Sequence, residues 1–139
     1  MRKLIDALKA HITETTPYTA YFGEVDDTPN YPYVLLWTST GQLEENTLAG
    51  DRDLSDRLGV TMVATTGEGV LAMSVHVRRA LVGFAPESDQ WLVEAFRPPF
   101  DSQPIDRDRD VALPNHGYPS FAVDLYRLDG VPKPAEITK

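Results

Sequence analysis

The sequence predicts an α+β domain with a mostly antiparallel sheet of about four to five strands and two helices packed on one face. Two segments place apolar residues at the spacing of an amphipathic helix, and several short runs alternate or are fully apolar, as strands are. Their order is helix, two strands, a long loop, a third strand, helix and two further strands, which favours an α+β arrangement. With 139 residues, the chain is long enough for one ordinary core.

The first helix is predicted in RKLIDALKAHI, residues 2–12, and ends before Pro17. Leu4, Leu8 and Ile12 recur at helical spacing beside Ile5, while charged residues occupy the other side. One apolar stripe is therefore expected to face the core.

The second helix is predicted from a capping box of Thr65 and Glu68 to about Gly83. Its apolar arc is wide and leaves a narrow polar face that holds His76 and Arg79. The main stripe consists of Val70, Met73, Val77, Ala80, Leu81 and Phe84, and the arc extends over Leu71, Val75 and Val82.

Five strands are predicted between and after these helices. Asp, Pro and Asn residues between the first two favour a turn there. In the third, Leu58, Val60, Met62 and Ala64 share one face at period two. The strands are TAYFGEV (19–25), YVLLWTS (33–39), RLGVTMVATT (57–66), WLVEAFRP (91–98) and YPSFAVDLYRL (118–128).

Two long loops and a tail complete the predicted organisation. Residues 41–57 gather acidic residues without apolar periodicity, and residues 99–117 are rich in proline and aspartate. We expect residues 1–128 to form the domain and residues 129–139 to form an unpaired tail or one bound to a neighbour.

Composition limits the function classes. The net charge of −8 disfavours nucleic-acid binding, and the absence of cysteine excludes disulfides, thiolate zinc sites and cysteine nucleophiles. No stretch has the roughly 18 uninterrupted apolar residues of a membrane span. The charged start of the chain is unlike a secretory leader.

Three motifs resemble chemical sites without completing them. His76 lacks a neighbouring nucleophile and carboxylate motif for general base catalysis. Residues 67–72 match G-x-G-x-x-A, but Glu68 opposes a pyrophosphate at the helix start. DRDRD, residues 106–110, imitates a calcium loop, yet Val111 and Gly117 occupy the positions that need glycine and glutamate. We therefore predict no catalytic, cofactor or metal site and no enzyme activity.

The adjacent arginines of the second helix are expected to differ. Arg79 falls on the polar face, whereas Arg78 projects into the edge of the apolar arc. Arg78 either packs its stem while its head reaches solvent or pairs with an acidic residue of another subunit.

The order of these segments resembles the tail terminator proteins of long-tailed (siphovirus-type) bacteriophages, the family of the lambda tail terminator. The segments that carry the resemblance are RKLIDALKAHI, YPYVLLW, RLGVTMVATT, VLAMSVHVRRALVGFAP and YPSFAVDLYRL. It implies a structural subunit, made in the host cytoplasm, that forms a homohexameric ring in the virion neck. Such a ring caps the tail tube, stops its polymerisation and presents a surface to the head-tail connector, while DNA passes through without specific binding.

In such a ring, Arg78 and Arg79 are hypothesised to pair with acidic residues of the adjacent subunit, namely Glu44, Glu45, Asp51 or Asp53. The alternative within the same class is a head-tail stopper or another minor tail protein. A small hydrolase using His76 or His116 and a small-molecule binding module are alternatives from other classes.

Overall fold

A computed structural model describes residues 2–25, 29–38, 53–113 and 117–134. It contains helices α1 (Arg2–Thr15) and α2 (Gly67–Leu81). The strands are β1 (Thr19–Phe22), β2 (Tyr33–Thr38), β3 (Leu54–Ala64), β4 (Trp91–Val93), β5 (Asp101–Ser102), β6 (Asp106–Arg107) and β7 (Ser120–Pro132). The α+β class is confirmed.

The sheet is mixed, so the prediction of a mostly antiparallel sheet was wrong. Its order is β1-β2-β3-β7-β4, and β5 and β6 also pair with β7. The pairing of β1 with β2 is parallel, with Thr19 opposite Tyr33 and Phe22 opposite Leu36. The Asp, Pro and Asn residues between β1 and β2 favour a turn in the sequence, but the two strands are parallel and do not form a hairpin. Residues 23–32 separate the two strands along the chain.

Both helices contribute to one core. The inner face of the sheet consists of the residues that share a side with Leu58, Val60 and Met62 of β3, all of them fully buried. Buried residues of α1 and α2 join the same cluster, namely Leu4, Leu8, Ile12, Val70, Met73, Val77 and Leu81. The predicted stripe of β3 is confirmed.

β7 organises the other half of the molecule. One side of it pairs with the whole of β3, from Leu54 opposite Gly130 to Ala64 opposite Ser120. Its other side pairs in turn with β6, β5 and β4. Residues 91–107 thus follow β7 as an interrupted strand, and the interruptions contain Pro98, Pro99 and Pro104, which cannot donate to a ladder.

Several elements begin or end at residues other than those predicted. β3 begins at Leu54, inside the loop predicted for residues 41–57, and residues 41–52 of that loop lie outside the described residues. The loop predicted for residues 99–117 contains β5 and β6. β7 continues to Pro132 and so includes the first residues of the expected tail. Thr66, rather than Thr65, caps α2, because its side chain accepts a hydrogen bond from the Gly69 amide.

Candidate functional site

An ion pair between Arg78 and Asp124 of the same chain connects α2 to the sheet. Its Nε and Nη2 donate to Oδ2 and Oδ1 of Asp124 at 2.8 and 2.9 Å. Asp124 lies on the inner face of β7 with a side chain only 1% exposed, while 43% of the Arg78 side chain is exposed. Ser102 of β5 donates to the same carboxylate at 2.7 Å. One buried carboxylate therefore connects α2, β5 and β7.

The pairing with Asp124 shows which group the Arg78 side chain binds, which the helical spacing of the sequence does not. The hydrogen bond and charge of Asp124 raise the pKa of Arg78 against the opposing effect of burial. The sequence suggested the edge position of Arg78, but its partner is far along the chain and carries no local signal. The hypothesis that Arg78 also meets an adjacent subunit stays a prediction.

The other predicted interface residues are not brought together in the described chain. Arg79 is exposed on α2, and its side chain makes no hydrogen bond or ion pair with the residues that the structure describes. Asp53 is exposed immediately before β3. Glu44, Glu45 and Asp51 lie outside the described residues, so their pairing with an arginine stays a prediction.

An apolar ridge follows the outward side of α2. We call Leu71, Val75, Arg79 and Val82 the outward ridge, because spacings of four, four and three residues place them on one side of a helix. Its aliphatic side chains are 61%, 51% and 40% exposed at Leu71, Val75 and Val82. The prediction that they extend the apolar arc is correct in position, but the chain leaves them open to solvent.

The outer face of the sheet is also open. Leu35, Trp37, Phe121 and Leu125 alternate with buried inner-face residues and are half-buried. Trp37 lies over Gly59, where any Cβ would overlap the indole ring, and its Nε1 donates to Thr61 Oγ1 at 3.0 Å. The face is therefore ordered and largely apolar without being covered.

A groove of about 430 Å³ occupies part of this face. Tyr33, Leu35, Val63 and Phe121 contribute to its lining, and residues 107–110 form its rim. We call it the outer groove. The amide of Asp108 donates to Pro119 O at 2.8 Å, which ties the rim to the start of β7.

Tyrosines and an aspartate meet at one end of the outer groove. The Tyr33 ring lies 5.7 Å from that of Tyr21 and 5.4 Å from that of Tyr31, measured between centroids. Burial first, and then the neighbouring Tyr31 and Asp108, raise the pKa of Tyr33 to about 12. The half-buried Asp108 carboxylate is therefore close enough to the phenols to oppose their ionisation, and the cluster suits a positively charged group.

The histidines take structural or surface positions. The His11 ring stacks on Phe84 at 3.7 Å, and its Nε2 lies 2.6 Å from Ala80 O, which joins α1 to the end of α2. His76 is exposed, with Tyr18 at 6.3 Å. His116 lies outside the described residues.

Among the described residues, no group of three or more histidine or acidic side chains could hold a metal ion. No helix in the described part of the chain is long and apolar enough to cross a membrane.

No protein-family model matches the chain, and no curated protein matches it significantly.

Proposed function

We propose that this protein is a structural subunit of a phage tail that assembles into a homohexameric ring, caps the head-proximal end of the tail tube and presents a surface to the head-tail connector. The observation that carries the assembly part is the pair of open apolar surfaces, the outward ridge and the outer groove. They occupy different faces of the subunit, and a contact between different faces is the kind that closes rings.

The assignment to a tail terminator is supported by the resemblance in segment order described above. The net charge of −8 suits a ring through which DNA passes, because an acidic lumen gives phosphates no cationic groups to bind. A head-tail stopper has similar assembly needs and differs in its partner.

The first test is the native mass of the purified chain over a range of protein concentrations, with magnesium present. We expect a discrete six-subunit species. The second test adds the chain to tail tube subunits from the same phage while they polymerise, with electron microscopy as the readout. We expect shorter tubes with a ring at one end.

Tubes of unchanged length, with no binding to the tube subunit, would contradict the terminator function. Capture of the connector without the tube subunit would move the assignment to the stopper. A matched reaction with an unrelated acidic protein of similar size controls for charge effects on tube growth.

A further inference from the structure

The outward ridge and the outer groove match each other in chemistry. The ridge offers aliphatic side chains and one arginine, Arg79. The groove offers the half-buried apolar side chains of Leu35 and Phe121, with the half-buried Asp108 at its rim. Helices commonly bind grooves through side chains at these spacings.

The charges favour a second copy as the occupant. A chain of net charge −8 repels its own copies, so association needs a local contact of opposite sign. Arg79 is a positive charge of the ridge, between Val75 and Val82 along the chain, and Asp108 is a negative charge that lines the outer groove together with Tyr33. Arg107 and Arg109 also belong to the rim, but both are exposed, whereas Asp108 is half-buried.

We propose that the outward ridge of one copy binds the outer groove of the next copy, with Arg79 paired to Asp108. This inference rests on the proposed ring-forming function and specifies its subunit contact. The ridge lies on the helix layer and the groove on the opposite face of the sheet, so each copy uses its ridge toward one neighbour and its groove toward another. The contact is heterologous and can continue around a ring.

Charge reversal tests the pairing. Arg79→Glu and Asp108→Arg should each weaken self-association by about tenfold or more, measured by sedimentation, because each places like charges in the contact. An equimolar mixture of the two variants should restore assembly, since alternating subunits then present opposite charges at every contact. Arg2→Glu and Asp6→Arg make the same charge changes at exposed positions of α1 and should leave assembly unchanged.

Crosslinking tests the geometry independently. The chain contains no cysteine, so single introduced cysteines report one position each. Val75→Cys mixed with Asp110→Cys should give a crosslinked dimer that neither variant gives alone. Leu92→Cys is a matched control, because Leu92 is 54% exposed, close to the 51% of Val75, but lies on β4.

Four outcomes would overturn the inference. They are unchanged assembly of both charge variants, failure of the mixture to restore it, a Val75→Cys dimer formed without the second variant, and a wild-type chain that stays monomeric up to about 1 mM. The proposed function is judged separately by tube capping. A wild-type ring that caps tubes while these tests fail would retain that function and reject this contact. Circular dichroism and thermal unfolding of each variant exclude misfolding as the cause of lost assembly.

Discussion

The two faces of the sheet are made by alternate residues of the same strands, yet the helices cover only the inner face. On the outer face Val63 and Val123 are buried, while other side chains stay partly open to solvent. Val34 and Leu36 of β2 are fully buried beneath the helices, whereas their neighbours Tyr33 and Leu35 are only half-buried on the outer face. The inner face even accommodates the Asp124 carboxylate by pairing it with Arg78. The difference teaches that the chain holds more ordered apolar surface than its own core uses, and such surfaces mark interaction sites.

The strongest test of the difference between the two faces is to truncate the adjacent Leu35 and Leu36 of β2 to alanine. Leu36→Ala should lower the free energy of unfolding by about 3 kcal/mol, because it leaves a cavity in the core. Leu35→Ala should cost about 1 kcal/mol or less, since its site can relax into solvent. Urea unfolding of the dilute chain measures both. Equal losses would show that the outer face is as important to the monomer as the inner face.

The second comparison uses the adjacent arginines of α2. Arg78→Ala should destabilise the chain by about 2 to 3 kcal/mol, because the buried Asp124 carboxylate then keeps only Ser102 as a side-chain partner. Arg79→Ala should change stability by no more than about 0.5 kcal/mol, as expected for an exposed side chain. Thermal unfolding of both variants is the measurement, and a large loss at Arg79 would contradict its surface position.

The third test concerns the packing of the outer face. Gly59→Ala should cost about 1 to 2 kcal/mol and change Trp37 fluorescence, because the indole must leave its place over Gly59. Gly67→Ala is the control, since its new methyl group would meet Ile105 at an ordinary 3.7 Å. Unchanged Trp37 emission in the first variant would show that the indole does not rest on β3.

The last test is made in alkaline solution. Burial and nearby charge raise the pKa of Tyr33 to about 12, above its ordinary value of 10.0. The neutral phenol therefore contributes stability that is complete below pH 10 and is lost as the pH rises toward 12. Tyr33→Phe should make the fall in stability across this window less steep. Stability measured by denaturant at several pH values tests this, and an unchanged slope would contradict the burial of Tyr33.

The sequence predicted those features of the fold that depend on local periodicity. The stripes of both helices and the inner face of β3 repeat at fixed spacings, and their buried members are in the core. β5 and β6 were missed because each has two residues and exists only through pairing with β7. The parallel pairing of β1 with β2 was missed because the residues between them resemble a turn, although the path of the chain depends on tertiary packing.

The candidate site was less accessible to sequence reasoning for the same reason. Exposure of Leu71 and Val75 could not be read from a helix whose apolar arc is wide. The outer groove combines residues of β2, β3 and β7 with the rim at residues 107–110, which are distant along the chain. The alternating aspartates of the rim were a visible signal, but they indicated a charge run rather than one half-buried carboxylate, Asp108.

The central position of β7 has a consequence for biosynthesis. β7 follows every other described strand in the chain, yet it lies between β3 and the β4, β5 and β6 segments. During translation, β3 has no partner on that side until residues 120–132 have left the ribosome, and such non-local pairing is slow to form. Until β7 is synthesised, the nascent chain therefore exposes the unpaired edge of β3 in addition to the outer-face residues. The rate at which the nascent chain folds should limit the yield of folded protein, and a chaperone that shields β3 should raise that yield.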